Sequence, residues 1–316
     1  MDQELNQLAQ PRSLVAEAIS AIREGDLSQT QMTRLSDLSR ANAFALAEAW
    51  ESIPEDNRVE LVRRFDELTE ERVELNFGRA LRVALDDSSA VVRQLAVAGL
   101  WEDESSDLLD RLRQILETDE SPDVRAQAAA ALERFSSKAA VGYLGDEVAL
   151  SHREEVRRAA RDEGEPYAVQ RRALEALGPY AAESEIASLI SDAYDSGDHG
   201  LQCSAIYAMG RSLDPRWLPT ILIVVESDDP ELRFEAARAA GLLGSADAIP
   251  VLLGAARDDD AEVRHAAISA IGQIGGRGAV RALERLSEDA GEADLELIES
   301  ALEEVNTLLE PFQPSS

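Results

Sequence analysis

Val263-Arg264-His265-Ala266-Ala267-Ile268-Ser269-Ala270-Ile271-Gly272 is one of six versions of the same phrase. It returns as Leu232-Arg233 through Gly241, Leu201-Gln202 through Gly210 and Val169-Gln170 through Gly178. Earlier versions run from Val124-Arg125 to Leu132 and from Val92-Arg93 to Leu100. With the Arg or Gln as register mark, the spacings from the C-terminal end are 31, 31, 32, 45 and 32 residues. A unit of 31 or 32 holds two helices of about three turns with short connections. Short units in series bury their apolar faces against one another, so the expected fold is all-α, an α-solenoid of stacked antiparallel helix pairs.

The apolar positions support this. From Leu232 they are Ala236, Ala239, Ala240 and Leu243; from Val263 they are Ala267, Ala270, Ile271 and Ile274. These offsets form one stripe on one helical face, and its alanines bring neighbouring helices close together. A preceding helix in each unit carries larger side chains, as in Pro219 to Val225 and Ala248 to Leu253, to fill the space between layers. Asp228-Asp229-Pro230 and Asp258-Asp259-Asp260 supply helix-start chemistry, as does Asp214-Pro215. An Asp side chain accepts a free backbone N–H there, and Pro suits a first turn. Gly244 and Gly275-Gly276 fall where a helix ends with positive φ.

The segments Asp229 to Gly241 and Asp260 to Gly272 resemble HEAT repeats, particularly the short bacterial kind of the phycobilisome-lyase type. The resemblance covers about residues 85 to 287. It implies an Asp–Arg ladder between stacked repeats, giving Arg93, Arg125, Arg233 and Arg264 a structural role, with Gln170 and Gln202 breaking the ladder. It also implies that the second helix of each pair lines the concave face. The family includes scaffolds, lyases and nucleic-acid enzymes, so the resemblance says more about fold than activity.

Residues 1–69 read as a helical cap, with helices over Ser13 to Arg23, Ser28 to Ser39 and Asn42 to Ser52, and a degenerate repeat marked by Val59. About six repeats occupy 70–290, a capping helix 291–310 and a short tail 311–316. The 45-residue spacing places an insertion near 137–165. Its helical run Arg153 to Arg161 is the most basic stretch of the chain. It is expected as a solvated helix, or as a projecting lobe that meets an acidic surface, including the chain's own.

The formal charge is −31. Nucleic-acid binding is driven by Lys and Arg displacing counterions from phosphate, so this balance disfavours a DNA-binding or base-excision role. An acidic surface keeps an extended protein soluble, or steers a basic partner toward it. No apolar run is long enough to span a membrane. Met1 to Gln7 lacks the basic head and apolar core of a signal peptide, so a cytoplasmic monomer is expected. Cys203 is the single cysteine, which excludes an internal disulfide.

Little chemistry is legible. His152, His199 and His265 are read as having no second histidine or cysteine at metal-ligand spacing. The His-Glu pairs of HEAT-repeat hydroxylases, a phosphate loop and a nucleophile elbow are not found. No catalytic residue, metal or cofactor is therefore expected, and Cys203 is read as a packing residue. The remaining signal is a stripe two, six and ten positions after each apolar mark: Arg171 and Glu175; Cys203, Tyr207 and Arg211; Phe234 and Arg238; His265, Ser269 and Gln273. Arg and Tyr combine contact area with directional hydrogen bonds, as binding hot spots do. The expectation is a non-enzymatic scaffold that binds a peptide or protein segment through Arg171, Glu175, Tyr207, Arg211, Phe234, Arg238 and His265. The alternative is a lyase or chaperone-like helper for a pigment-bearing protein.

Overall fold

The structure, a computed structural model, describes residues 12–288 and 290–309. Met1 to Gln7 and the tail after Pro311 lie outside them. The described residues form α-helices and short 3-10 turns and contain no strand. They fall into two compact units: 1–135 with 163–169, and 136–162 with 170–316.

The first unit opens with α1 (Arg12–Arg23), α2 (Gln29–Thr33) and α3 (Arg40–Trp50). It continues with α4 (Glu55–Glu71), α5 (Gly78–Ala84), α6 (Ala90–Gly99), α7 (Ser106–Thr118) and α8 (Pro122–Ala140), the last crossing the unit boundary. The helix expected over Ser28 to Ser39 stops at Thr33, because Asp37 takes a positive φ of 51° and donates its N–H to the Asn76 carbonyl. Then come α9 (Asp146–Arg161), α10 (Tyr167–Ala176), α11 (Ser184–Asp195) and α12 (His199–Arg211). The second unit ends with α13 (Leu218–Val224), α14 (Pro230–Leu243), α15 (Ile249–Ala255), α16 (Ala261–Ile274), α17 (Gly276–Ser287) and α18 (Glu292–Leu309).

Caps and stripes fall where the residues demand. Asp229 accepts the N–H groups of Glu231 and Leu232, and Asp260 those of Glu262 and Val263. Gly244 ends α14 with φ 65°, in the left-handed region. The alanine stripe is buried in α14 and α16, and Ile221, Val224, Ile249 and Leu252 of the first helices are buried beside it. Ile223, expected among these fillers, is exposed instead, on the outer face of α13.

The register of the degenerate N-terminal repeat differs from expectation. Its mark is Arg58, not Val59. Arg58 is buried, with Nε 2.7 Å from Asp87 Oδ2 and Nη1 donating to the Ile53 carbonyl at 2.8 Å. Counting from Arg58, buried Leu61, Val62 and Phe65 match Ala96, Val97 and Leu100 counted from Arg93. Val59 misled because its apolar side chain is only half-buried, while the Arg before it is sequestered by its charge partner.

The ladder has a rule that links its rungs. From Arg93 onward, each rung arginine donates to a carboxylate of the following repeat and to the carbonyl six residues behind it. Arg93 spans Asp119 and the Asp87 carbonyl; Arg125 spans Glu165 and the Asp119 carbonyl. Arg233 spans Asp258 and the Ser227 carbonyl, and Arg264 spans Asp294 and the Asp258 carbonyl. One loop residue thus serves two rungs, by carbonyl and by carboxylate. Where the arginine gives way to Gln202, the matching loop residues are Ser196 and Ser227, not acids. Their hydroxyls accept the N–H groups of Asp198 and Asp229, as Asp258 accepts that of Asp260. Losing the cation at a rung is matched by losing the anion, which avoids a buried, unpaired charge.

Asp258 makes the ladder sensitive to acid. The Arg233 hydrogen bond lowers its pKa from the ordinary 3.8, against burial and with help from the Asp260 N–H. A carboxylate with a lowered folded pKa stabilises the fold above its unfolded pKa, and the contribution is lost as pH falls through the folded value. Asp258→Asn should therefore flatten the decline in denaturant midpoint as pH falls through and below the ordinary carboxylate range. An unchanged slope would show that this rung is energetically silent.

The insertion is not a lobe. The extra residues lengthen α8 and form α9, with His152, Val156 and Ala159 buried. Its arginines meet the chain's own acids at the start of α11: Arg153 pairs with Glu183, and Arg157 and Arg161 with Glu185. Beneath them His152 Nε2 lies 2.9 Å from Ser136 Oγ.

Candidate functional site

The expected stripe divides into an internal network and an open groove, both in the second unit. In the network, Arg171 Nε donates to Ser204 Oγ at 3.0 Å, and that hydroxyl donates to Glu175 Oε1 at 2.8 Å. Arg172 Nη1 donates to Glu175 Oε2 at 2.6 Å. Glu175 was expected on an open face and is buried, because these donors to its two oxygens lie on α10 and α12 and hold it inward. Arg211 is turned to Ser137 Oγ at 3.2 Å. Cys203 is buried as expected, and burial, reinforced by Glu231, raises its thiol pKa to about 12, so it is no nucleophile near neutrality.

The groove is formed by α14, α16 and α18. Phe234, Arg238, His265, Ser269 and Gln273 converge there with Leu242, Ala266, Ala270, Leu297 and Glu262, around a cavity of ≈450 Å³. All five of the residues expected from α14 and α16 line it. They meet because α14 and α16 carry one register mark 31 residues apart, so equal offsets land side by side. Leu242 was not expected, although it lies one helical turn beyond Arg238 on the same face. Leu297 had no such signal, since α18 does not repeat the phrase.

Arg238 is the groove's exposed cation. Its guanidinium carbon lies 5.4 Å from the Phe234 ring centre and 5.8 Å from that of Tyr207, within reach of both π faces. It also pairs with Glu235 at 3.3 Å. Burial raises the pKa of Glu235, against the pull of Arg238, so this carboxylate is a poorly solvated partner. His265 Nε2 lies 3.0 Å from Asp294 Oδ1, which orients the ring at the rim.

A second cavity, of ≈490 Å³, lies in the first unit. It is lined by Asp66, Glu74, Glu102 and Asp103, with exposed Trp101. Of its acids, Asp103 is committed to Arg82 and Glu74 to Arg72.

The reading that no histidine has a cysteine at ligand spacing is overturned. His199 and Cys203 are four residues apart on α12, hence on one face one turn apart. One nitrogen of His199, the sulfur of Cys203 and a carboxylate oxygen of Glu231 lie within 4.8 Å of one another. The signal was present in the sequence as His-x-x-x-Cys; Glu231 is brought in from α14 only by packing.

Among the described residues no helix is long and apolar enough to cross a membrane. No curated protein matches the chain in sequence. The complex of CpcE and CpcF of phycocyanin lyase from Nostoc sp. PCC7120 is similar in fold at 20% identity, covering 84% of this chain and 95% of that one, with a TM-score of 0.55. Human deoxyhypusine hydroxylase in complex with glycerol aligns at 16% identity over 94% of this chain and 97% of that one, with a TM-score of 0.36. The profile of HEAT repeats matches residues 79–163 and 218–303, more than half of the sequence. With the paired helices and the Arg–Asp rungs described above, the chain belongs to the HEAT-repeat family.

Proposed function

We propose that the protein is a non-enzymatic interaction module that holds a peptide segment in the groove of α14, α16 and α18. The observation carrying this is the convergence of Phe234, Arg238 and His265 around a ≈450 Å³ cavity floored by Leu242, Ala266, Ala270 and Leu297. An apolar floor with a few directional polar groups at its edge is the usual composition of a binding cleft. The segment that fits has an apolar side chain for the floor and a neighbouring carboxylate for Arg238. That carboxylate replaces Glu235, whose own ionisation is opposed by burial. Tyr207 and Phe234 hold the guanidinium in place beforehand, so little side-chain freedom is lost on binding.

Peptides selected from a random display library against the full chain provide the test. Phe234→Ala and Arg238→Ala are each expected to weaken a selected peptide by roughly 2 kcal/mol, about thirtyfold in Kd. The best binders should be enriched in an apolar residue beside Asp or Glu. Binders that tolerate both substitutions, or a selection yielding basic peptides, would remove the groove from consideration.

A further inference from the structure

We propose that His199, Cys203 and Glu231 form a binding site for a divalent transition-metal ion of the zinc class, which ties α12 to α14 where the arginine ladder is interrupted. The three groups offer nitrogen, sulfur and oxygen ligands, a mixed set suited to zinc and not to magnesium or calcium. Their ligand atoms already lie within 4.8 Å of one another, a separation that small rotamer changes close onto a single ion. Two ligands come from one helix at i and i+4, the spacing that sets two side chains above each other on one face. The third comes from the first turn of the next second-position helix, so the ion joins two successive repeats.

Two further observations support the placement. Asp229 adds a carboxylate beside the set: Oδ1 caps α14, and Oδ2 stands 2.9 Å from His199 Nε2. Ligating imidazoles commonly have such a carboxylate neighbour. The site also coincides with a missing rung. Gln202 stands where other repeats place arginine, and Ser227 stands where they place the carboxylate. Gln202 donates to the Tyr194 carbonyl behind it and is not seen to reach forward to the next repeat. His199, one turn away, pairs with Asp229 and Glu231 at the start of α14. Binding exchanges the thiol proton for a metal–sulfur bond and releases the proton to solvent, with no change of oxidation state.

Titration of the full chain with Co²⁺, in the presence of excess Mg²⁺ to occupy the acidic surface, tests the site. One equivalent should produce a thiolate-to-cobalt charge-transfer band and tetrahedral d–d absorption, both displaced by Zn²⁺. Cys203→Ser should abolish the charge-transfer band. His199→Ala and Glu231→Gln change exposed side chains, leave the fold intact by circular dichroism, and should each weaken binding at least about tenfold. Zinc should raise the Tm of the native chain and not that of His199→Ala. Cobalt uptake without a thiolate band, or a band unaltered by His199→Ala and Glu231→Gln, would overturn the proposal.

Discussion

Asp87→Ala will lower the stability of the first unit by about 3–5 kcal/mol, the cost of leaving a buried cation without its partner. The reason lies in how many donors converge on this one carboxylate. Asp87 is 2% exposed and Arg58 4%. Its Oδ2 accepts from Trp50 Nε1 at 2.5 Å and faces Arg58 Nε at 2.7 Å. Its Oδ1 accepts from Arg58 Nη2 at 3.1 Å and from the Ser89 N–H at 2.6 Å. Alanine strands all of these at once. Asp87→Asn keeps the shape but leaves the guanidinium only exposed Glu51, 3.4 Å away, so it should be nearly as damaging. The double variant Arg58→Met with Asp87→Leu should recover part of the loss, since an apolar pair removes the desolvation penalty. Chemical denaturation followed by circular dichroism and tryptophan emission measures all three. A loss below about 1 kcal/mol for Asp87→Ala would mean that the pair behaves as a surface ion pair does.

Gly210→Ala and Gly241→Ala should each destabilise the second unit by about 1–3 kcal/mol, the range for overpacking a filled contact. The sign is the informative part. Within a helix, alanine is favoured over glycine by about 1 kcal/mol, so helix propensity predicts the opposite. A Cβ on Gly210 would lie 2.7 Å from Ala239 Cα and 2.8 Å from its Cβ. One on Gly241 would lie 2.8 Å from Ala270 Cα, and backbone cannot move aside as a side chain can. The helices α12, α14 and α16 would have to separate. Gly272 occupies the same register, but its new Cβ would meet Ala301 less closely, its Cβ at 3.2 Å and its Cα at 3.8 Å. Gly272→Ala should therefore be close to neutral. Equal effects at all three positions would show that register alone, and not the closeness of the neighbouring helix, sets the cost.

These cases show how much the residues announced. The recurrence of Arg or Gln eight residues before glycine marked Gly178, Gly210, Gly241 and Gly272 as equivalent; only the packed helices separate a clash at Gly210 from tolerance at Gly272. The stripe offsets identified Phe234, Arg238, His265, Ser269 and Gln273, which do share one groove. The same offsets named Glu175 and Arg211, which are held by Ser204, Arg172 and Ser137. Offset gives direction around a helix axis and says nothing of whether a neighbouring side chain satisfies the group found there.

Helical period, Asp starts and glycine ends act within a few residues of each other, so the helix pairs, their caps and the class of fold were legible along the chain. Packing settled which carboxylate each rung arginine meets, that Arg58 and not Val59 marks the first rung, and that Glu231 joins His199 and Cys203. Those outcomes depend on which carboxylate lies across from a given side chain some 25 to 40 residues away, a distance over which the local pattern carries no register.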